Sequence, residues 1–143
     1  MLVHDLMSKP VFTVREDKHL RVVDEVMKWN HIRHVPVVDA GGRVVGIISH
    51  RDLLAAAVST LAVRISQVER AQHLGASEVR NLMHAPVATI GPQEPIQRAA
   101  YLMRHHKIGC LPVLENEKLV GIIAEADLLG VVEWLSDATL PQL

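Results

Sequence analysis

Two stretches of the chain carry apolar residues at helical spacing: Leu20, Val23, Val26 and Met27 in the first half, Ile96, Ala99, Ala100 and Met103 in the second. Steps of three and four place each set along one stripe of an α-helix. Each helix pattern is followed by two nearly all-apolar runs, HVPVVD and VVGIIS in the first half, CLPVLE and LVGIIA in the second. Runs of this length and composition predict strands covered on both faces. A further short strand is predicted after Pro10 (VFTV) and after Pro86 (VATI), and a closing helix over 51–66 and over 125–135. Gly41-Gly42 supplies the positive φ that a tight hairpin needs, whereas the second hairpin uses Glu-Asn-Glu-Lys and is one residue shorter. The predicted order is therefore β-α-β-β-α, twice.

The two halves are copies of one another. Shifting the sequence by 76 residues lays 3–38 on 79–114 with ten identities in 36 positions, where average residue usage gives roughly two or three. After a one-residue deletion, VGII at 45–48 falls on VGII at 120–123, and Asp52-Leu53-Leu54 on Asp127-Leu128-Leu129. A duplication of this kind directs attention to what both copies keep and where they differ. The boundaries read as repeat one over 1–63, a polar linker over 64–78, repeat two over 79–137 and a tail over 138–143. One β-α-β-β-α unit is too small to bury its sheet alone, so the two copies are expected to pack together.

Composition narrows the function. The chain has 143 residues, 49% of them hydrophobic and 22% charged, which is a globular composition. Aromatic residues are only 3%, so any slot for a nucleobase must be aliphatic rather than a stacking platform. The net charge is −1, without the cationic excess that phosphate-tracking proteins show, so no nucleic-acid partner is expected. Protonating all nine His would bring it to +8, so acid would alter the surface. The longest apolar stretch, Leu53–Val63, is 11 residues and contains Ser59 and Thr60, too short and too polar to span a membrane. Asp5 stands where a signal peptide would be apolar, and a cytoplasmic protein is expected. The single Cys110 excludes an intrachain disulfide and reads, in the context GCLPVL, as a small core residue.

The openings VHDLM and VRNLM, the middles IRHVPVVD and IGCLPVLE, and the pair GIISHRD (46–52) and GIIAEAD (121–127) together resemble the cystathionine-β-synthase (CBS) domain pair, or Bateman module. The resemblance covers nearly the whole chain. It implies an α+β fold of tandem β-α-β-β-α CBS repeats packed about a pseudo-twofold axis, with two clefts that in many relatives hold adenosine-containing ligands, and a flat homodimer. In the first cleft it assigns Asp52 to ribose, Ser49 and Arg51 to phosphate and Ile47 to the wall, with a base slot from Met83, Ala88, Ile108, Gly109 and Pro112. In the second it assigns Asp127, opposite Met7, Phe12, Ile32, Arg33 and Pro36, with Arg33 and His34 within reach of a phosphate. The second copy departs from the pattern: Ala124 replaces the hydroxyl and Ala126 the polar residue, so this cleft is expected to be empty, weak or selective for fewer phosphates.

The residues support two readings of Ser49 and Asp52. A carboxylate accepts from ribose hydroxyls, and a hydroxyl beside a helix N-terminus suits a phosphate. Ser-x-x-Asp is equally an N-terminal cap that needs no ligand, and Asp127 has the same alternative. Basic clusters at 31–34 and 104–107 follow the first helix of each copy, either complementing the helix dipole or forming a rim for phosphates. His31, His34, His105 and His106 have no acidic or thiol ligand at helpful spacing, so no metal is expected. Trp29 and Trp134 fall near helix ends, as core or rim residues or as anchors at a dimer or partner surface.

No nucleophile, zinc or P-loop motif is present, so no catalytic residue and no cofactor are assigned. The expectation is a non-enzymatic sensor of AMP, ADP, ATP or S-adenosylmethionine that signals through a homodimer or a separate effector protein, no effector domain being expected on the chain itself. The alternative is a constitutive dimerisation scaffold whose clefts are vestigial.

Overall fold

A computed structural model describes residues 1–58 and 77–139 of the chain. The elements in order are α1 (Val3–Leu6), β1 (Val14–Arg15), α2 (Leu20–Asn30), β2 (His34–Val38), β3 (Val44–Ser49), α3 (His50–Val58), a 3₁₀ turn (Val79–Asn81), α4 (Ile96–His106), β4 (Cys110–Glu115), β5 (Lys118–Ala124) and α5 (Glu125–Thr139). The expected α+β repeats are present. Positions 59–66 of the first expected closing helix, and nearly all of the expected linker, lie outside the described residues. In the second copy the closing helix runs to Thr139, four residues past the sequence expectation.

The chain divides into two compact units, Phe12–Val87 and Met1–Val11 with Ala88–Leu143. The first unit holds a sheet in the order β1-β2-β3, β1 parallel and β3 antiparallel to β2. Its core is Val14, Leu20, Val23, Met27, Val35, Val37, Ile48, Leu53 and Val79. The second unit pairs β4 with β5 around Val3, Ile90, Ala99, Met103, Leu111, Val113 and Ile123. Every core residue of the second unit has its repeat counterpart in the core of the first. Val3 and Val79 have changed places: the opening valine of each copy fills the core built by the other copy's strands. The repeats and the compact units are thus cut at different points along the chain.

Three local expectations need correction. The strand at VATI shrinks to a single bridge, Ile90 with Val113, held by Ile90 N–H to Pro112 O and Leu114 N–H to Ile90 O; Gly91-Pro92 turns the chain away before a second residue can pair. Ala100 is exposed, and Leu102 packs on the core in its place. The strand expected over VFTV forms at Val14–Arg15 and shares only Val14 with it; the short helical turns at VHDL and VRN show no period at three or four residues.

The ends of the elements match between copies. His31 and Lys107 cap α2 and α4 in the left-handed region (φ 53° and 54°), each donating its N–H to the carbonyl of Met27 or Met103. In the first hairpin Gly42 takes φ 81°, and Asp39 Oδ1 accepts from the N–H groups of Gly41 and Arg43 at 2.9 Å each. In the second, Asn116 and Glu117 both take positive φ, 51° and 65°. Two such residues in succession make the tight turn whose twist suits a hairpin.

Candidate functional site

Each repeat ends its last strand and begins its closing helix at the signature motif, and there the carboxylates sit. In the first unit Ser49 ends β3 and His50 begins α3. Ser49 Oγ accepts from the Asp52 N–H at 3.2 Å, and Asp52 Oδ2 accepts from the Ser49 N–H at 2.7 Å and the Ser49 hydroxyl at 2.8 Å. This is a reciprocal capping box, and the cap reading of the motif is thereby established. The first helical N–H is also occupied: His50 donates to Arg33 O at 2.7 Å.

The other oxygen of Asp52 has a partner that sequence reasoning missed. His84 Nε2 lies 2.9 Å from Asp52 Oδ1. Backbone pairing fixes the place of His84, because Ile47 N–H donates to His84 O at 3.0 Å and His84 N–H to Ile47 O at 2.9 Å. Gly46 makes this approach feasible: a Cβ there would meet Met83 Sδ at 2.6 Å and His84 O at 3.0 Å. Burial pushes the Asp52 carboxyl up, but the Ser49 N–H, the His84 ring and the Ser49 hydroxyl together outweigh it and hold the group below its usual value. The separation of 32 positions between Asp52 and His84 conceals the contact, and only the pairing of the second copy's opening with β3 reveals it.

The second unit repeats the frame with fewer groups. Asp127 Oδ2 accepts from the Ala124 N–H at 2.8 Å, half of a capping box, since Ala124 has no hydroxyl to return the bond. Glu125 N–H donates to Gly109 O, matching His50 to Arg33. Ser8 pairs with Ile122 as His84 pairs with Ile47, at 2.8 and 3.1 Å, and Met7 lies against Gly121. Asp127 also lines a cleft of about 510 Å³ together with Met1, Leu6, Ala126, Gly130, Val131 and Trp134.

The remaining expected site residues distribute as follows. Ile47, Ser49, Arg51, Asp52 and Met83 belong to the first unit; Ala88, Ile108, Gly109 and Pro112 belong to the second. Of the second expected site, Asp127 and Met7 belong to the second unit and Phe12, Ile32, Arg33, His34 and Pro36 to the first. Arg51, Arg33 and Phe12 are exposed, His34 is half-buried, and Pro36 and Pro112 are buried. Cys110 is 3% exposed, and burial, with the charge of Glu125 adding, pushes its thiol up to about 12. Trp29 and Trp134 are 83% and 66% exposed, so neither is a core residue.

A family profile described as CBS domain matches residues 3–59 and again 79–133. The chain belongs to the CBS domain family. A CBS domain-containing protein of Dictyostelium discoideum is 35% identical over 143 residues, 99% of this chain and 98% of its own. A homoserine O-acetyltransferase of Methanococcoides burtonii is 34% identical over 88% of this chain, but the match spans only 23% of that enzyme. A solved CBS domain pair in complex with 5′-methylthioadenosine and S-adenosyl-L-methionine is 26% identical with a TM-score of 0.78, covering 94% of this chain and 98% of that one. CBS domain pairs are thus found both as nearly whole chains and as parts of enzymes. Among the described residues no helix is long and apolar enough to cross a membrane.

Proposed function

We propose that this CBS pair is a non-enzymatic regulatory module that binds an adenosine-containing ligand, AMP, ADP, ATP or S-adenosylmethionine, with Asp52 as the ribose acceptor. The observation that carries the reading is the Asp52 carboxylate: its Oδ2 is consumed by the capping box, while its Oδ1 meets, among the described residues, the exposed His84 ring alone. A depressed carboxylate keeps its charge and acts as an acceptor only, as two ribose hydroxyls require. The solved CBS pair with S-adenosyl-L-methionine supports the ligand class. On this reading Ser49 and Arg51 face the phosphate or the sulfonium-bearing tail, Ile47 and Met83 line the wall, and Ala88, Ile108, Gly109 and Pro112 complete the base slot. Asp127, with Met7, Phe12, Ile32, Arg33, His34 and Pro36, forms the poorer second site.

Ligand binding shifts the packing of the repeats, and a partner or a second copy reads the shift. The exposed apolar residues Leu129 and Trp134 on α5, 67% and 66% exposed, suit a homodimer contact. On α3, Ala55 is exposed, whereas Ala57 is buried in its own unit. On the same reading the module works in the cytoplasm. A second reading, a dimerisation scaffold with vestigial clefts, is favoured by the caps that Asp52 and Asp127 both form. A thermal-shift series separates the two. Ligand at about 100 times its dissociation constant stabilises the fold by about 2.7 kcal/mol, so one adenosine compound should raise the midpoint while the matched guanosine compound does not. No shift with any of the four ligands leaves the scaffold.

A further inference from the structure

The duplication supplies an internal comparison at the carboxylate. In the first unit, three donors surround Asp52: the Ser49 N–H and Ser49 hydroxyl on Oδ2, and the His84 ring on Oδ1. In the second, the Ala124 N–H is bound to Asp127 Oδ2, and Ser8 stands at the position of His84. Both positions are held by the same two-bond backbone bridge to the last strand, to Ile47 for His84 and to Ile122 for Ser8. The two sites therefore differ in side chains, the Ser49 hydroxyl and the His84 ring having no counterpart at Ala124 and Ser8, and not in the backbone bridge.

We propose that the His84 imidazole is a displaceable clamp, occupying the acceptor of Asp52 that a ribose would use and so setting the affinity of the first-repeat site. This rests on the adenosine-ligand reading above. A carboxylate offers about four lone-pair directions. On Asp52 two are taken by groups of its own helix cap, which no ligand can remove without opening the helix. The ring on Oδ1 is different in kind, for its side chain is 69% exposed and keeps no other hydrogen bond among the described residues. A ribose hydroxyl arriving at Oδ1 can therefore turn it out into water. Exposed charge pairs contribute little, up to about 1 kcal/mol, so the clamp lowers affinity by a small factor rather than closing the site.

The test is calorimetric titration of the full chain with S-adenosylmethionine and with AMP, on wild type, His84→Ser and His84→Gln. His84→Ser copies the second repeat and should bind the recognised probe about two- to fivefold more tightly. His84→Gln keeps an N–H donor and should return toward wild type. In an Asp52→Ala background the His84→Ser gain should vanish, a dependence that a general change in the surface would not show. Wild-type binding with His84→Ser equal or weaker overturns the clamp and leaves the ligand reading standing. Absence of binding to wild type and to His84→Ser with both probes, and with ADP and ATP in the same titration, overturns the ligand reading, and the clamp with it.

Discussion

The backbone N–H of Val79 donates to the carbonyl of Lys18 at 2.8 Å, and 76 residues away in the repeat Val3 donates to Glu94 at 2.9 Å. Each bond ties the opening of one copy to the segment that leads into the first helix of the other. Both valines are fully buried, in cores made of the other copy's strands and helices. Removing two methyl groups from such a site should cost about 2–3 kcal/mol. Val79→Ala is therefore expected to lower the unfolding free energy measured by urea titration by that amount, with Val22→Ala, an exposed position on α2, within about 0.5 kcal/mol of wild type. Equal effects of the two would contradict the exchange of openings.

The second hairpin carries strain that glycine would relieve. Glu117 takes φ 65° beside Asn116 at 51°, and an L side chain in this region costs about 1–2 kcal/mol. Glu117→Gly creates Asn-Gly, the preferred pair for this turn. It should raise stability by about 0.5–1 kcal/mol after the extra chain entropy of glycine is subtracted. A lower melting temperature would show that the Glu117 side chain contributes more than its backbone costs.

Asp52 gives stability a defined acid dependence. Its carboxyl lies below the usual value in the folded protein, so the folded state favours the ionised form. That contribution is complete above the ordinary carboxylate range near pH 4 and is lost as pH falls through the folded value. Asp52→Asn should thus be less stable than wild type at pH 7, and the gap should close on acidification below about pH 4. A gap that stays constant down to pH 3 would show that the charge has no part in the cap.

Cys110 should be silent in the native protein. Its thiol is buried and its ionisation pushed up to about 12, so the reactive thiolate is scarce at pH 8. A thiol reagent should label it only as fast as the protein unfolds, and labelling in the native state at the rate of a free cysteine would contradict its place in the core.

The duplication made most of the fold legible, because apolar periodicity repeated at a fixed offset marks α2 with α4, β2 with β4 and β3 with β5. The Ser49–Asp52 cap was equally readable, its residues being three apart. Beyond the reach of the pattern were features whose partners are distant in sequence. Val79 in the other copy's core, and His84 on Asp52, depend on where the opening segments pair, and Gly46 and Gly121 record that close approach only once the partner is known. The short first strand of the second copy was overread because VATI has strand composition, while Gly91-Pro92 sets its length.

The central claim, that Asp52 holds the ribose of an adenosine ligand, is tested most directly by calorimetric titration of wild type, Asp52→Ala and Asp127→Ala with the adenosine compound that gives the largest thermal shift. Loss of charge-assisted hydrogen bonds worth about 1.5–3 kcal/mol predicts about ten- to a hundredfold weaker binding for Asp52→Ala, and a smaller change for Asp127→Ala. Equal affinity for wild type and Asp52→Ala would contradict the assignment, and a larger loss in Asp127→Ala would move the principal site to the second repeat.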